Sequence, residues 1–268
     1  MDRAVTRVSV SAETRTPAGT TNCYLVGDAV VDPAGAAEAV DAAAPDHVLV
    51  THTHADHVGG VAAYADDAVV WTRDGHAERF REATGVDPDR TFADGDRLPT
   101  DPPLTVLDAP GHAPDHVVFR LAGDDRSDSA DAATGDSRPV LFVGDVAVAE
   151  GSVVVGAPDG DMREYLATLE RLRDLDPPAA RLYPGHGPAV DEPRATFDRL
   201  IEHRLERERR VLSAVRAGVE TVPAITDAAY DRDLAGVRDL AAATVRAHVE
   251  KLAHEGRLRW DGDRARSL

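Results

Sequence analysis

Thr51-His52-Thr53-His54-Ala55-Asp56-His57-Val58-Gly59-Gly60 places three histidines and one aspartate within six residues, just after the apolar strand candidate Val48–Val50. Imidazole and carboxylate together suit zinc and similar borderline divalent ions. In a loop leaving a strand, His52 and His54 point the same way, while Asp56 and His57 serve a neighbouring position. The strand end is a rigid anchor, and Gly59-Gly60 lets a helix begin tightly against it.

Three further candidates each follow a glycine in a turn beside a strand. His112 lies in Ala109-Pro110-Gly111-His112, Asp145 follows Val140–Val143 through Gly144, and His186 lies in Tyr183-Pro184-Gly185-His186-Gly187. Glycine lets the backbone turn sharply and present the next side chain. Five histidines and two aspartates are enough for two metals with positions left open for water.

The order HxHxDH, PGH, GD, PGH resembles the metallo-β-lactamase superfamily over roughly residues 5–190. The resemblance implies that His52, His54 and His112 hold one metal, that Asp56, His57 and His186 hold the other, and that Asp145 bridges them. It also implies an α/β architecture, an αββα sandwich of two mixed sheets with the metals at one sheet edge. Zinc is the expected ion, and the same ligands accept iron or manganese. Two ions about 3.5–4 Å apart share a hydroxide whose pKa they lower, and that hydroxide is the expected nucleophile. Asp56 is both ligand and proton handler. His116, in His112-Ala-Pro-Asp-His116, resembles a second histidine of this family and is a candidate to orient a ligand from behind. Asn22, in Thr21-Asn22-Cys23-Tyr24, is expected to satisfy backbone near the site. Asp115 reads as a turn residue and Cys23 as a buried apolar one. His47, His76, His203, His248 and His254 lack ligand company and read as surface or packing residues.

Outward from these motifs, strand candidates at Val5–Val10, Asn22–Val26, Ala29–Asp32, His47–Thr51, Ala68–Thr72, Leu104–Asp108, His116–Leu121, Val140–Val143 and Arg181–Tyr183 alternate with helical stretches. These last are Gly35–Ala44, His57–Ala65, Gly75–Thr84 and Asp161–Leu175. The clearest is the last, with Met162, Tyr165, Leu166, Leu169, Leu172 and Leu175 at helical spacing and Pro177-Pro178 as its stop. Gly123–Arg138 is an acidic, apolar-poor segment expected to be a solvated loop. Residues 1–193 form the expected catalytic domain. Residues 194–268 form a small C-terminal domain: a long charged helix, two more helical segments and a hairpin turned at Asp261-Gly262, a winged-helix-like order.

Length and composition exclude several classes. At 268 residues with 43% hydrophobic content the chain can bury a core, so disorder is excluded. No run approaches the ~18 apolar residues of a membrane helix. Met1–Val10 lacks an apolar signal core, so a cytoplasmic enzyme is expected. A single cysteine excludes a disulfide framework. The net charge is −18, from 34 Asp and 14 Glu against 29 Arg and one Lys, Lys251. An Asp-rich, Lys-poor surface is the composition expected of a halophile, whose carboxylates hold water in high salt. Residues 191–268 carry 15 acidic and 15 basic groups, so the whole excess lies in the body.

The tail also bears on substrate. Ile201-Glu202-His203-Arg204, the charged helix, Val249-Glu250-Lys251-Leu252 and Glu255-Gly256 resemble the lactamase-beta-like-2 branch, whose characterised members cleave single-stranded RNA. The first reading is therefore a dinuclear-metal endoribonuclease. The alternatives are a hydroxyacyl-thioester hydrolase of glyoxalase II type, acting on small esters or thioesters, and a non-catalytic winged-helix nucleic-acid-binding regulator. Sequence does not fix the oligomeric state.

Overall fold

The computed structural model describes residues 5–12, 14, 19–123, 138–231 and 233–268. Residues 124–137 of the expected acidic loop lie outside the described residues.

Strands β1 (Val5–Ser11) and β2 (Thr20–Val26) pair antiparallel with Val8 opposite Cys23 and Ser9 opposite Asn22. The chain turns at Gly27, where φ is +59° and a Cβ would lie 1.8 Å from the Asp101 carbonyl oxygen, so no other residue fits. Then β3 (Ala29–Val31), β4 (His47–Leu49), β5 (Val69–Arg73) and β6 (Arg90–Phe92) follow, β3 antiparallel to β2 and the others parallel, to give a six-stranded sheet in chain order. The middle strands are covered on both faces, which is why they read as unbroken valine and leucine. Alternation still sorts them: Leu49 joins one core cluster, Val48 and Val50 the other.

A second sheet has the order β10 (Arg181–Pro184), β9 (Val140–Gly144), β8 (Val117–Leu121), β7 (Leu104–Asp108). Tyr24, Leu49, Trp71 and Phe92 from the first sheet meet Val106, Phe119 and Phe142 from the second in one buried cluster. On the other face of the first sheet, Val40 of α1 (Glu38–Ala43), Val58 of α2 (Ala55–Val58), Val61 of α3 (Val61–Tyr64) and Phe80 of α4 (Ala77–Thr84) cover Cys23, Val30, Val48 and Val70. This is a mixed α/β architecture in which a six-stranded and a four-stranded sheet share one core and helices cover the other face of the first.

Two local differences from the sequence reading have clear causes. The helix expected over 57–65 is two single-turn helices, split at Gly59-Gly60. There the backbone presses on Pro33–Gly35: Gly60 N–H donates to Pro33 O at 2.7 Å, and a Cβ on Gly60 would sit 2.6 Å from the Gly35 carbonyl carbon. Strand β6 went unread because Arg90-Thr91-Phe92 contains one apolar residue, and only the edge pairing with β5 makes it a strand.

The chain divides into two compact units. One comprises Met1–Ala109, Asp115–Gly151 and Asp174–Thr196; the other comprises Pro110–Pro114, Ser152–Arg173 and Phe197–Leu268. The second unit contains α5 (Met162–Arg173), most of α6 (Pro193–Arg216), α7 (Val222–Ala229), α8 (Arg238–His254) and the hairpin β11 (Arg259–Trp260) and β12 (Ala265–Arg266). Its core joins Val211 and Val215 of α6, Ile225 of α7, Val245, Val249 and Leu252 of α8, and Leu258 beside the hairpin. Among the described residues, no helix is long and apolar enough to cross a membrane.

Candidate metal centre

The centre of the site is Asp32, which follows β3 at a φ of +53° and is 1% exposed. Its two carboxylate oxygens accept hydrogen bonds from Thr51 N (2.6 Å) and Thr51 Oγ1 (2.8 Å), fixing the start of the histidine loop. Oδ2 also lies 3.0 Å from His57 Nδ1, which donates to it. Thr51 spends its one hydroxyl hydrogen on Asp32, so at 3.1 Å it accepts from His52 Nδ1. His52 Nε2 therefore carries the lone pair, 3.1 Å from His54 Nδ1. The Thr51 carbonyl accepts from Val117 N at 2.8 Å, tying this loop to the second sheet.

Asp145 enters from the end of β9. A Cβ on Gly144 would lie 2.4 Å from Thr51 Oγ1 and 2.9 Å from His116 Nε2, so glycine is required there. His116 is fully buried, stacks on His52 with ring centroids 4.6 Å apart, and accepts from the Asp145 backbone N–H at 3.1 Å. His186 enters from the end of β10. The Gly185 N–H donates to Gly144 O, and a Cβ on Gly185 would lie 2.4 Å from the His57 ring. His186 Nδ1 donates to Thr20 O at 3.0 Å, and its Nε2 stands 3.4 Å from Asp56 Oδ2 and 3.5 Å from Asp145 Oδ1. Asn22 holds the same turn by donating to Pro184 O and Gly187 O at 2.9 and 2.8 Å, and Tyr24 Oη donates to Pro184 O at 2.6 Å.

Within this unit, ligand atoms of His52, His57 and Asp145 lie within 4.8 Å of one another, as do those of Asp56, His57 and His186. His112 belongs to the second unit. Its turn is set by Gly111 at φ +123°, where a Cβ would strike the Tyr165 backbone nitrogen at 2.2 Å, and its Nδ1 donates to Val154 O at 2.7 Å.

The donor set suits a cation. His52, His57, His112 and His186 each give Nδ1–H to a protein acceptor, which forces the lone pair onto Nε2. His57 Nε2 is fully buried and, among the described residues, makes no hydrogen bond. The facing carboxylates favour positive charge on the His57 and His186 rings. Burial opposes charge on His57, but Asp145 and Asp32 outweigh it and push its pKa well above the usual imidazole value. Burial likewise opposes charge on His186, yet Asp145 and Asp56 raise it to about 10. Burial opposes charge on Asp56 too, but contacts with His186, His57 and Thr14 outweigh it and bring the carboxyl down to about 2. A divalent ion competes with those protons for the same lone pairs.

The family model for the metallo-beta-lactamase superfamily matches residues 16–186 of this chain. The chain belongs to the metallo-beta-lactamase superfamily. The superfamily's members are metal-dependent hydrolases, and this chain takes its place among them. It is similar to the "Beta-lactamase-like protein 2 homolog" of Caenorhabditis elegans (29% identity; 79% of this chain, 66% of the relative) and of Drosophila melanogaster (30%; 80% and 70%). The chain thus spans about two thirds of the length of these curated relatives. "Thioesterase pkgB" of Emericella nidulans is 31% identical over 62% of this chain and 41% of its own. Among solved structures, a metallo-beta-lactamase family protein from Thermus thermophilus superposes with a TM-score of 0.75, at 23% identity over 98% of each chain.

Sequence reasoning missed Asp32. A carboxylate ending the strand candidate Ala29–Asp32, one strand ahead of the one that leads into the histidine motif, was its signal. Asp115, read as a turn residue, does sit in a turn, but it is also buried and 3.3 Å from Arg79, which donates to Thr53 Oγ1. Cys23 is buried as expected, and burial pushes its thiol up to about 12. His116 and Asn22 both lie against the site, His116 behind His52 and Asn22 under the His186 turn.

Proposed function

We propose that this superfamily hydrolase works with two divalent cations, zinc in the first instance. His52, His54 and His112 would hold one, Asp56, His57 and His186 the other, and Asp145 both. The observation that supports this is the common treatment of four imidazoles, each tied at Nδ1 with its lone pair on Nε2. Bound cations supply Lewis acidity toward a carbonyl or phosphoryl oxygen and acidify water as the nucleophile. The chain's own part is to hold these rings in one tautomer and to keep them from rotating. Asp32 does this for His57, and the Thr20 carbonyl does it for His186. His116 and Asn22 position Asp145 and the His186 turn through backbone. Asp56, whose carboxylate faces His186, is placed to accept the proton of the attacking water.

For substrate, we favour single-stranded RNA. The tail resemblance supports it, as does the order α7, α8, β11–β12, which we read as a winged helix. Arg259 in the hairpin is exposed and makes no ion pair among the described residues, in a charge-neutral tail. The named thioesterase relative favours a second reading, hydrolysis of a small acyl thioester. A regulator without catalysis fits poorly with membership of a hydrolase family. We read the acidic, lysine-poor surface as adapted to high salt, so assays belong in molar salt.

The test pairs both substrates on the metal-replete full chain, with Asp145→Ala and Arg259→Glu alongside. RNA cleavage lost in Asp145→Ala and weakened in Arg259→Glu, with thioester turnover unchanged by the latter, upholds the RNA reading. Thioester hydrolysis without RNA cleavage replaces it with the second reading.

A further inference from the structure

Four contacts converge on the turn that carries His112, and all come from the second unit, to which that turn belongs. Thr168 Oγ1 of α5 donates to Pro110 O at 2.8 Å, and Asp161 N donates to Gly111 O at 2.9 Å. Gly111 packs so closely on Tyr165 that no side chain fits. The His112 ring itself is held by the Val154 carbonyl at 2.7 Å. What fixes that carbonyl therefore helps to fix the ring.

Val154 lies in the segment joining β9 to α5. That segment closes on itself through Gly160 N–H to Gly156 O at 2.7 Å. Two C-terminal helices clamp it. From α6, Arg204 is 3% exposed, donates from a guanidinium nitrogen to Val153 O, and lies over the Tyr165 ring at 5.3 Å from its centroid. From α8, Ala243 packs on Gly156 so tightly that a Cβ on the glycine would sit 2.8 Å from the Ala243 Cβ. A buried guanidinium costs solvation that only well-placed acceptors offset. Here it is placed on the residue next to the one that orients His112, and on the tyrosine that walls the His112 turn.

We infer that Arg204 is a positioning residue for His112: it fixes the Val153–Gly156 segment, and with it the His112 tautomer and ring direction. This rests on His112 being a metal ligand, as proposed above. A carbonyl can only accept, so Val154 O in this place holds the hydrogen on His112 Nδ1 and leaves the lone pair on Nε2. Outer partners of ligating histidines change metal affinity by about 10–100-fold when removed.

The full chain is stripped of metal and titrated with Zn²⁺ against a chelating indicator, for wild type, Arg204→Met, Arg204→Lys and His112→Ala. Imidazole ¹⁵N spectra report the His112 tautomer, and thermal melts report folding. The expected result is that Arg204→Met weakens one zinc equivalent by about 10-fold or more, leaves the other at its wild-type affinity, and broadens or shifts the His112 Nδ1 resonance. Arg204→Lys, which keeps a donor but loses the planar contact with Tyr165, recovers part of the loss. If Arg204→Met binds both equivalents like wild type while His112→Ala loses one, the positioning role is overturned and the ligand assignment stands. If His112→Ala also binds both, the ligand assignment itself falls. Should Arg204→Met not fold, Gly156→Ala perturbs the same segment from the α8 side, and unchanged binding of both equivalents in it overturns the inference equally.

Discussion

The two units bury polar side chains for opposite ends. In the sandwich unit, His52, His57 and His186 are each satisfied at Nδ1, and His57 and His186 turn Nε2 toward carboxylates. In the C-terminal unit, Glu208 is 4% exposed and saturated, with Lys251 Nζ at 2.6 Å and Arg257 beside it. The chain's single lysine is spent on that internal pair. Both arrangements carry the desolvation cost of buried charge. One is closed and holds helices together. The other is half open, and the open half is where a ligand is expected. Buried polarity alone therefore does not mark a site; one-sided satisfaction does.

Removing groups from each region tests that contrast. The largest effect belongs to Asp145→Ala, which we expect to lower kcat/KM by about 10³-fold or more, roughly 4 kcal/mol of transition-state stabilisation. Initial rates and metal content measured together would check it, and an unchanged rate with both metals bound would break the two-metal reading. Next, Glu208→Gln takes the buried carboxylate away from Lys251 and Arg257 and leaves them Glu255 alone, and a loss of about 2 kcal/mol in denaturant unfolding is expected. Its zinc stoichiometry stays at the wild-type value; a loss of metal there would erase the distinction between the two regions. Asp32→Asn should act the other way round, weakening zinc binding about 10–100-fold. Isothermal titration reads that directly.

The smallest effect concerns His248 of α8. It is fully buried, and neither ring nitrogen has a hydrogen-bond partner among the described residues. Burial comes first, and Arg204, Lys251, Arg207 and His203 add positive charge, so its pKa is pushed well below the usual value. The folded chain keeps this ring neutral, whereas the unfolded chain protonates it near pH 6.5. Stability from this group is thus intact above about pH 6.5 and falls by up to about 1.4 kcal/mol per pH unit below it, until the lower folded pKa is reached. His248→Leu should flatten that slope relative to wild type in unfolding curves at pH 7, 6 and 5. An equal slope in the two proteins would show that His248 titrates alike in the folded and unfolded chain.

Much of the sandwich was legible from particular residues. The β-branched runs at Val48–Val50 and Val140–Val143 are strands whose ends carry the motifs, and Gly144 and Gly185 precede ligand candidates because a Cβ at either would strike the site. Helix α5 followed from leucine spacing. Strand β6 and the break between α2 and α3 were not legible, since one depends on an edge partner and the other on backbone pressing on Pro33–Gly35.

What the sequence determined by itself is the donor chemistry. Residue type and short spacing decide which atoms can bind a borderline cation, and those are local properties of HxHxDH, PGH and GD. What only the tertiary structure decided is which nitrogen of each ring carries the lone pair. That depends on acceptors far away in the chain: Asp32 for His57, the Thr20 carbonyl for His186, the Val154 carbonyl for His112. A tautomer is set by the partner of the opposite nitrogen, and such partners are assembled by folding, not by sequence proximity.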